Sequence, residues 1–106
     1  MPTNDPLRDN VFLAQTKLIA DDQLRAEKLK HLHDNFRDTD GGMQALYELG
    51  LLKISQWHQQ DDSNLEQKKK YLLEARETLT SFLNLYPEGI YSDQVKRNLD
   101  SIPNAD

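Results

Sequence analysis

Residues 43–54 of this 106-residue chain read MQALYELGLLKI. Apolar side chains fill most of these positions and leave almost no polar side when the segment is wound as a helix. A helix that is apolar all round must have neighbours on several sides. We therefore predict that a helix from about Met43 to Gln59 forms the centre of a helical stack.

Four further helices are predicted around this central one, and local signals mark their ends. Asp5 suits an N-cap, with Pro6 at the first helical position, where its missing N–H costs nothing. Ser63 and Glu66 have the spacing of a capping box at the start of the helix that follows them, and Pro87 ends that helix. The expected ranges are 6–20, Asp22–Phe36, Leu65–Leu85 and Ser92–Ser101.

These elements predict an all-α fold of about five helices, because period-two runs of β-branched residues are absent. Short links between consecutive helices favour antiparallel neighbours. We expect residues 1–5 to be a flexible lead-in and residues 6–106 to form one helical domain. Within it, residues 6–37 form a hairpin, 42–87 a long hairpin and 91–102 a closing helix.

Composition and charge argue against several classes of protein. The net charge of −5 does not suit a chain that neutralises phosphates, so no nucleic-acid partner is expected. The basic run 68–70 lies beside acids and is interpreted as a solvated helix face. The chain lacks cysteine, a secretory signal and a long apolar span. We expect a soluble chain without membrane insertion, and either cytoplasm or periplasm suits it.

No residue pattern indicates catalysis, a cofactor or a metal. His31 and His33 point in different directions on a helix, so they cannot share a metal, and with His58 they are expected at the surface. Residues 38–49 begin like a calcium loop. However, Gly42 and Leu49 occupy the fifth and twelfth positions, which need oxygen ligands. The chain is therefore predicted not to be an enzyme.

The sequence also repeats itself at an offset of 50 residues. Segment 36–38 aligns with 86–88, segment 44–45 with 94–95, and Leu49 with Leu99. Self-similar helix-turn-helix units at such a period are typical of a solenoid, in which each hairpin buries its face against the next.

One stretch of the chain resembles the tetratricopeptide repeat. The matching residues are Leu46-x2-Leu49-Gly50, then Ala75-x3-Leu79, then Phe82 and Pro87. The small residues Gly50 and Ala75 suit the points where paired helices approach most closely. These two residues are 25 positions apart, against about 12 in the 34-residue repeat, which predicts an elongated second hairpin. The stretches 45–50 and 82–87 are similar to the bacterial repeats of outer-membrane assembly lipoproteins and Tol-Pal coordinator proteins.

The resemblance implies a scaffold or adaptor that binds another protein or a peptide in a groove. The corresponding groove residues are Gln44, Tyr47, Leu51, Ile54 and Ser55. Leu51 stands where the family usually has an asparagine, so an amphipathic segment or a second copy of the chain suits the groove better than a free C-terminus. Equally, the apolar groove residues could pack as core.

Trp57 is a second candidate for partner binding, because aromatic residues are enriched at binding hot spots. Its alternative is packing against Leu65 or Tyr71. For the whole chain, the main alternative function is a self-associating oligomerisation or spacer domain. A helical bundle that binds a small ligand is a weaker third option.

Overall fold

The computed structural model describes residues 21–103, and this part of the chain consists of α-helices joined by turns, without strands. Four helices follow one another: α1 at Asp22–Asn35, α2 at Asp40–Gln59, α3 at Leu65–Leu85 and α4 at Ser92–Ser101. The all-α prediction is confirmed. The first predicted helix, 6–20, and the predicted lead-in lie outside the described residues.

The helix ends agree with the sequence signals except at α2. Asp21 caps α1, as its carboxylate accepts a hydrogen bond of 3.1 Å from the Leu24 amide. Helices α3 and α4 have the predicted ends. Helix α2 begins at Asp40, whereas residues up to Gly42 were expected in a turn. The Thr39 hydroxyl accepts the Gly42 amide at 3.1 Å, so an N-cap extends the helix over both glycines.

The capping box predicted before α3 is wrong. Asn64 is the N-cap residue of α3, and its side chain makes no capping hydrogen bond. The Ser63 amide instead donates to the Asp61 carboxylate at 3.2 Å. A local aspartate turn therefore replaces the reciprocal pair that Ser63 and Glu66 were expected to form.

The chain divides into two compact units between Leu49 and Gly50, within α2. In the first unit, α1 and the first half of α2 supply these buried apolar residues: Ala26, Leu29, Leu32, Met43, Ala45, Leu46 and Leu49. In the second unit, α3 packs against α4. Its buried apolar residues are Leu52, Leu72, Ala75, Leu79, Phe82, Val95 and Ile102.

The turns after α1 and after α3 share one hydrogen-bond pattern. Phe36 ends α1 and its amide donates to the Leu32 carbonyl at 3.0 Å, while Tyr86 ends α3 and donates to the Phe82 carbonyl at 2.8 Å. The carbonyl of each aromatic residue then accepts the amide three positions on, at 3.0 and 3.1 Å. A hydroxyl also reaches each carbonyl, from Thr39 at 2.8 Å and from Ser92 at 2.6 Å. The 50-residue offset thus relates the first backbone hydrogen bonds of the two turns, whereas the hydroxyls come from different positions and the second turn is two residues longer.

In the second unit, the end of α2 runs antiparallel to α3 at close range. A Cβ atom at Gly50 would lie 2.6 Å from Cδ2 of Leu79, so the two helices approach closely here and a larger residue needs the Leu79 side chain to shift. Further along α2, Lys53 pairs with Glu74, which comes earlier in α3. The predicted close contact at Gly50 is confirmed, and Ala75 is completely buried.

Candidate functional site

The predicted groove residues all lie on α2, where Gln44 and Tyr47 belong to the first unit and Leu51, Ile54 and Ser55 to the second; we call these five residues the stripe. Their spacing of one, three or four residues places them on one side of the helix. Ser55 is exposed, and the other four side chains are half-buried. The stripe is thus neither sealed core nor fully open surface, and three of its members are large apolar side chains.

A second side of α2 is buried. Ala45, Leu49, Leu52 and Gln56 recur along it and are all buried. The Gln56 side-chain oxygen accepts no hydrogen bond from the described residues. Ala45 and Leu49 are buried within the first unit, and Leu52 and Gln56 within the second.

Trp57, the sixth predicted binding residue, lies on a different side of α2 from the stripe. It follows Gly50 by seven positions and Lys53 by four, which places it on the side that packs against α3. The ring is half-buried, and its centroid lies 4.4 Å from that of His58. Leu65, one of the contacts proposed for Trp57, is 70% exposed.

Lys53 joins α2 to α3 through a partly buried ion pair. Its Nζ lies 3.4 Å from the Glu74 carboxylate and 5.8 Å from the centre of the Tyr71 ring. Only 15% of the Lys53 side chain is exposed, so its aliphatic part is covered while its charge has a partner. Lys53 thus links the facing sides of α2 and α3 within the second unit.

The expectation that His33 lies at the surface is wrong, because the residue is only 5% exposed. Its Nδ1 lies 3.1 Å from the Gly42 carbonyl, which can only accept, so Nδ1 carries the proton and donates. The spacing contained a usable signal, because His33 follows the buried Ala26 and Leu29 by seven and four positions. His31 and His58 are exposed, as expected.

Among residues 21–103, no group of three or more histidines and acids is placed to hold a metal ion. None of the described helices is long and apolar enough to cross a bilayer. Among the acids that the structure describes, Asp62 has a perturbed pKa, because a hydrogen bond from Lys68 lowers the pKa of its carboxyl at the surface.

The chain has no significant match among protein-family models, curated proteins or solved structures. The resemblance to the tetratricopeptide repeat is therefore carried by the matching residues themselves.

Proposed function

We propose that this chain is a non-enzymatic protein–protein interaction module, a scaffold of tetratricopeptide type that binds a partner protein or peptide along α2. The observation that carries the proposal is the half-buried stripe beside the buried side of the same helix. A helix that presents partly exposed apolar side chains lets a partner bury apolar area, while few groups lose conformational freedom on binding.

Two features of the fold support the tetratricopeptide character. The helix ends at Phe36 and Tyr86 share two backbone hydrogen bonds at an offset of 50 residues, which fits a repeated hairpin. The close approach of Gly50 to Leu79 fits the small residue of the repeat signature. With the elongated α2 and α3, these features favour a short, irregular bacterial solenoid.

Helix α4 fits the role of a closing helix, because its outer side is polar. Val95 is buried on the inner side, where α4 packs against α3. The exposed residues of α4 are Asp93, Gln94, Lys96, Arg97, Asp100 and Ser101. A polar outer side is typical of capping elements in solenoids, so the stripe on α2 is a better surface for a partner than α4.

Affinity capture from a lysate of the source cells tests the proposal. Wild type is compared with Ser55→Trp, which fills an exposed position of the stripe, and with the Tyr47→Glu, Leu51→Glu double variant. Thr80→Trp is the matched control, because Thr80 is exposed on α3. Circular dichroism establishes first that each variant is folded.

The proposal expects at least one protein that wild type and Thr80→Trp capture and that both stripe variants lose. Capture that is unchanged by Ser55→Trp and by the double variant would contradict binding at the stripe. If the wild type captures nothing but itself, the alternative of a self-associating domain replaces the adaptor. The exposed apolar residues of α3 and of the turn that follows it favour this self-associating alternative.

A further inference from the structure

The exposed large apolar residues of the second unit lie at two separate places along α3. Leu65 and Leu73, at 70% and 46% exposure, lie in its first half. Leu85 and Ile90, at 43% and 81% exposure, lie at its end and in the turn that follows. Exposed apolar residues are common on protein surfaces, so these two pairs indicate a contact only together with the charges around them.

The two places carry opposite charge. Around the first, residues 65–73 contain Lys68, Lys69 and Lys70 against one acid, Glu66. Lys68 pairs with Asp62, whereas Lys69 and Lys70 extend from exposed positions. We call Leu65, Lys69, Lys70 and Leu73 the basic patch.

Around the second place, residues 77–95 contain acids and neither lysine nor arginine. Glu88 and Asp93 are exposed on either side of Ile90. We call Leu85, Glu88, Ile90 and Asp93 the acidic patch. Apolar side chains therefore accompany both signs of charge, as two surfaces that fit each other require.

We propose that the basic patch of one copy of this chain binds the acidic patch of a second copy. The patches cannot satisfy each other within one chain, because Leu65 and Leu85 are separated by the length of α3, about 30 Å at 1.5 Å per residue. The contact can form twice in an antiparallel two-fold dimer, or once per pair of neighbours in a head-to-tail ring or open chain.

Sedimentation equilibrium of the purified chain over a range of concentrations is the first test. The weight-average mass rises above the 12.3 kDa of one chain as the concentration increases. Raising the salt from about 0.05 M to about 0.5 M lowers that mass, because exposed charges are screened. The proposal is overturned if the mass stays at 12.3 kDa up to about 1 mM protein in low salt. At that concentration any contact with a binding free energy stronger than about −4 kcal/mol would be detected.

Charge reversal then tests which surfaces meet. Lys69→Glu with Lys70→Glu makes both patches acidic, and Asn84→Lys with Glu88→Lys makes both basic. Asn84 is exposed in the last turn of α3, where a lysine is favourable to the helix dipole. Each variant alone remains monomeric, and an equimolar mixture of the two recovers association. The matched control is Lys28→Glu with Lys30→Glu on α1, which changes the net charge equally at exposed positions and leaves association intact.

A mixture that remains monomeric would overturn the proposal, as would a control that loses association to the same extent as the Lys69, Lys70 variant. The patches share no residue with the stripe on α2. Self-association and partner capture can therefore fail independently, and each failure identifies the idea that was wrong.

Discussion

Replacing Gly42 by alanine gives a sharp test of the turn between α1 and α2. In an open helical position this change stabilises a protein by about 1 kcal/mol, because glycine has the greater backbone entropy to lose. Here the added Cβ would lie 1.8 Å from the Phe36 carbonyl oxygen and 2.4 Å from its carbon. Both are backbone atoms, so no rotation of a side chain can relieve the clash.

The size of the effect follows from the contacts that the clash disturbs. Carbon and carbonyl oxygen approach to about 3.3 Å in favourable contacts, so α2 and the Phe36 carbonyl must separate by about 1.5 Å. That shift breaks the hydrogen bonds from Thr39 Oγ1 to Phe36, from the Gly42 amide to Thr39 and from His33 to Gly42. At about 1 kcal/mol each, and less the gain in helix propensity, Gly42→Ala destabilises by about 2 kcal/mol.

Urea unfolding followed by helical circular dichroism measures this difference, with the free energy taken from the linear dependence on denaturant. Ser55→Ala is the control, because Ser55 is exposed on the same helix and should change stability by less than about 0.5 kcal/mol. A Gly42→Ala variant as stable as wild type, or more stable, would refute the close contact between the start of α2 and the end of α1.

Three further predictions concern the second unit. Gly50→Leu overfills the contact with the buried Leu79 and should lower the free energy of unfolding by about 2 kcal/mol; unchanged urea unfolding would argue against the close approach of α2 and α3. Ser92→Ala removes the hydroxyl bond to the carbonyl that ends α3 and should cost about 1 kcal/mol, measured by thermal unfolding, and no change would make that bond dispensable. In a carboxyl NMR titration, Asp62 should show a lowered pKa that returns towards its usual value in Lys68→Met. The pairing stabilises the folded chain above the unfolded-state pKa of Asp62, and this stability is lost as the pH falls through the folded-state pKa. The same pKa in both proteins would contradict the pairing.

Helix ends were predictable where a residue ends or begins a helix by its own backbone chemistry. The short sequence between Tyr86 and Ser92 contains proline and glycine, and α3 ends before it and α4 begins after it, as expected. The Asp21 cap is equally local, because its carboxylate needs only the nearby Leu24 amide. Such signals are local, and one sequence is enough to read them.

Features that depend on distant contacts were not predictable in the same way. Gly41 and Gly42 look like a turn, since nothing local shows that the Phe36 carbonyl leaves room only for glycine inside the helix. His33 has the spacing of a buried residue but the polarity of a surface one, and its hydrogen bond to Gly42 decides between them. The helix periodicity placed the stripe and Trp57 on different sides of α2, but the sequence left open whether Trp57 lies towards α3 or towards a partner, and the contact of Gly50 with Leu79 shows which side of α2 faces α3.

The most direct test of partner binding places a photo-crosslinking amino acid at Ser55 of the full chain in its source cells, with the same amino acid at Thr80 as the control. Both positions are exposed, one on the stripe of α2 and the other on α3. The proposed function predicts a crosslink from Ser55 to a different protein and no such product from Thr80. No crosslink from Ser55 to another protein, or the same products from both positions, would contradict the stripe as the binding surface.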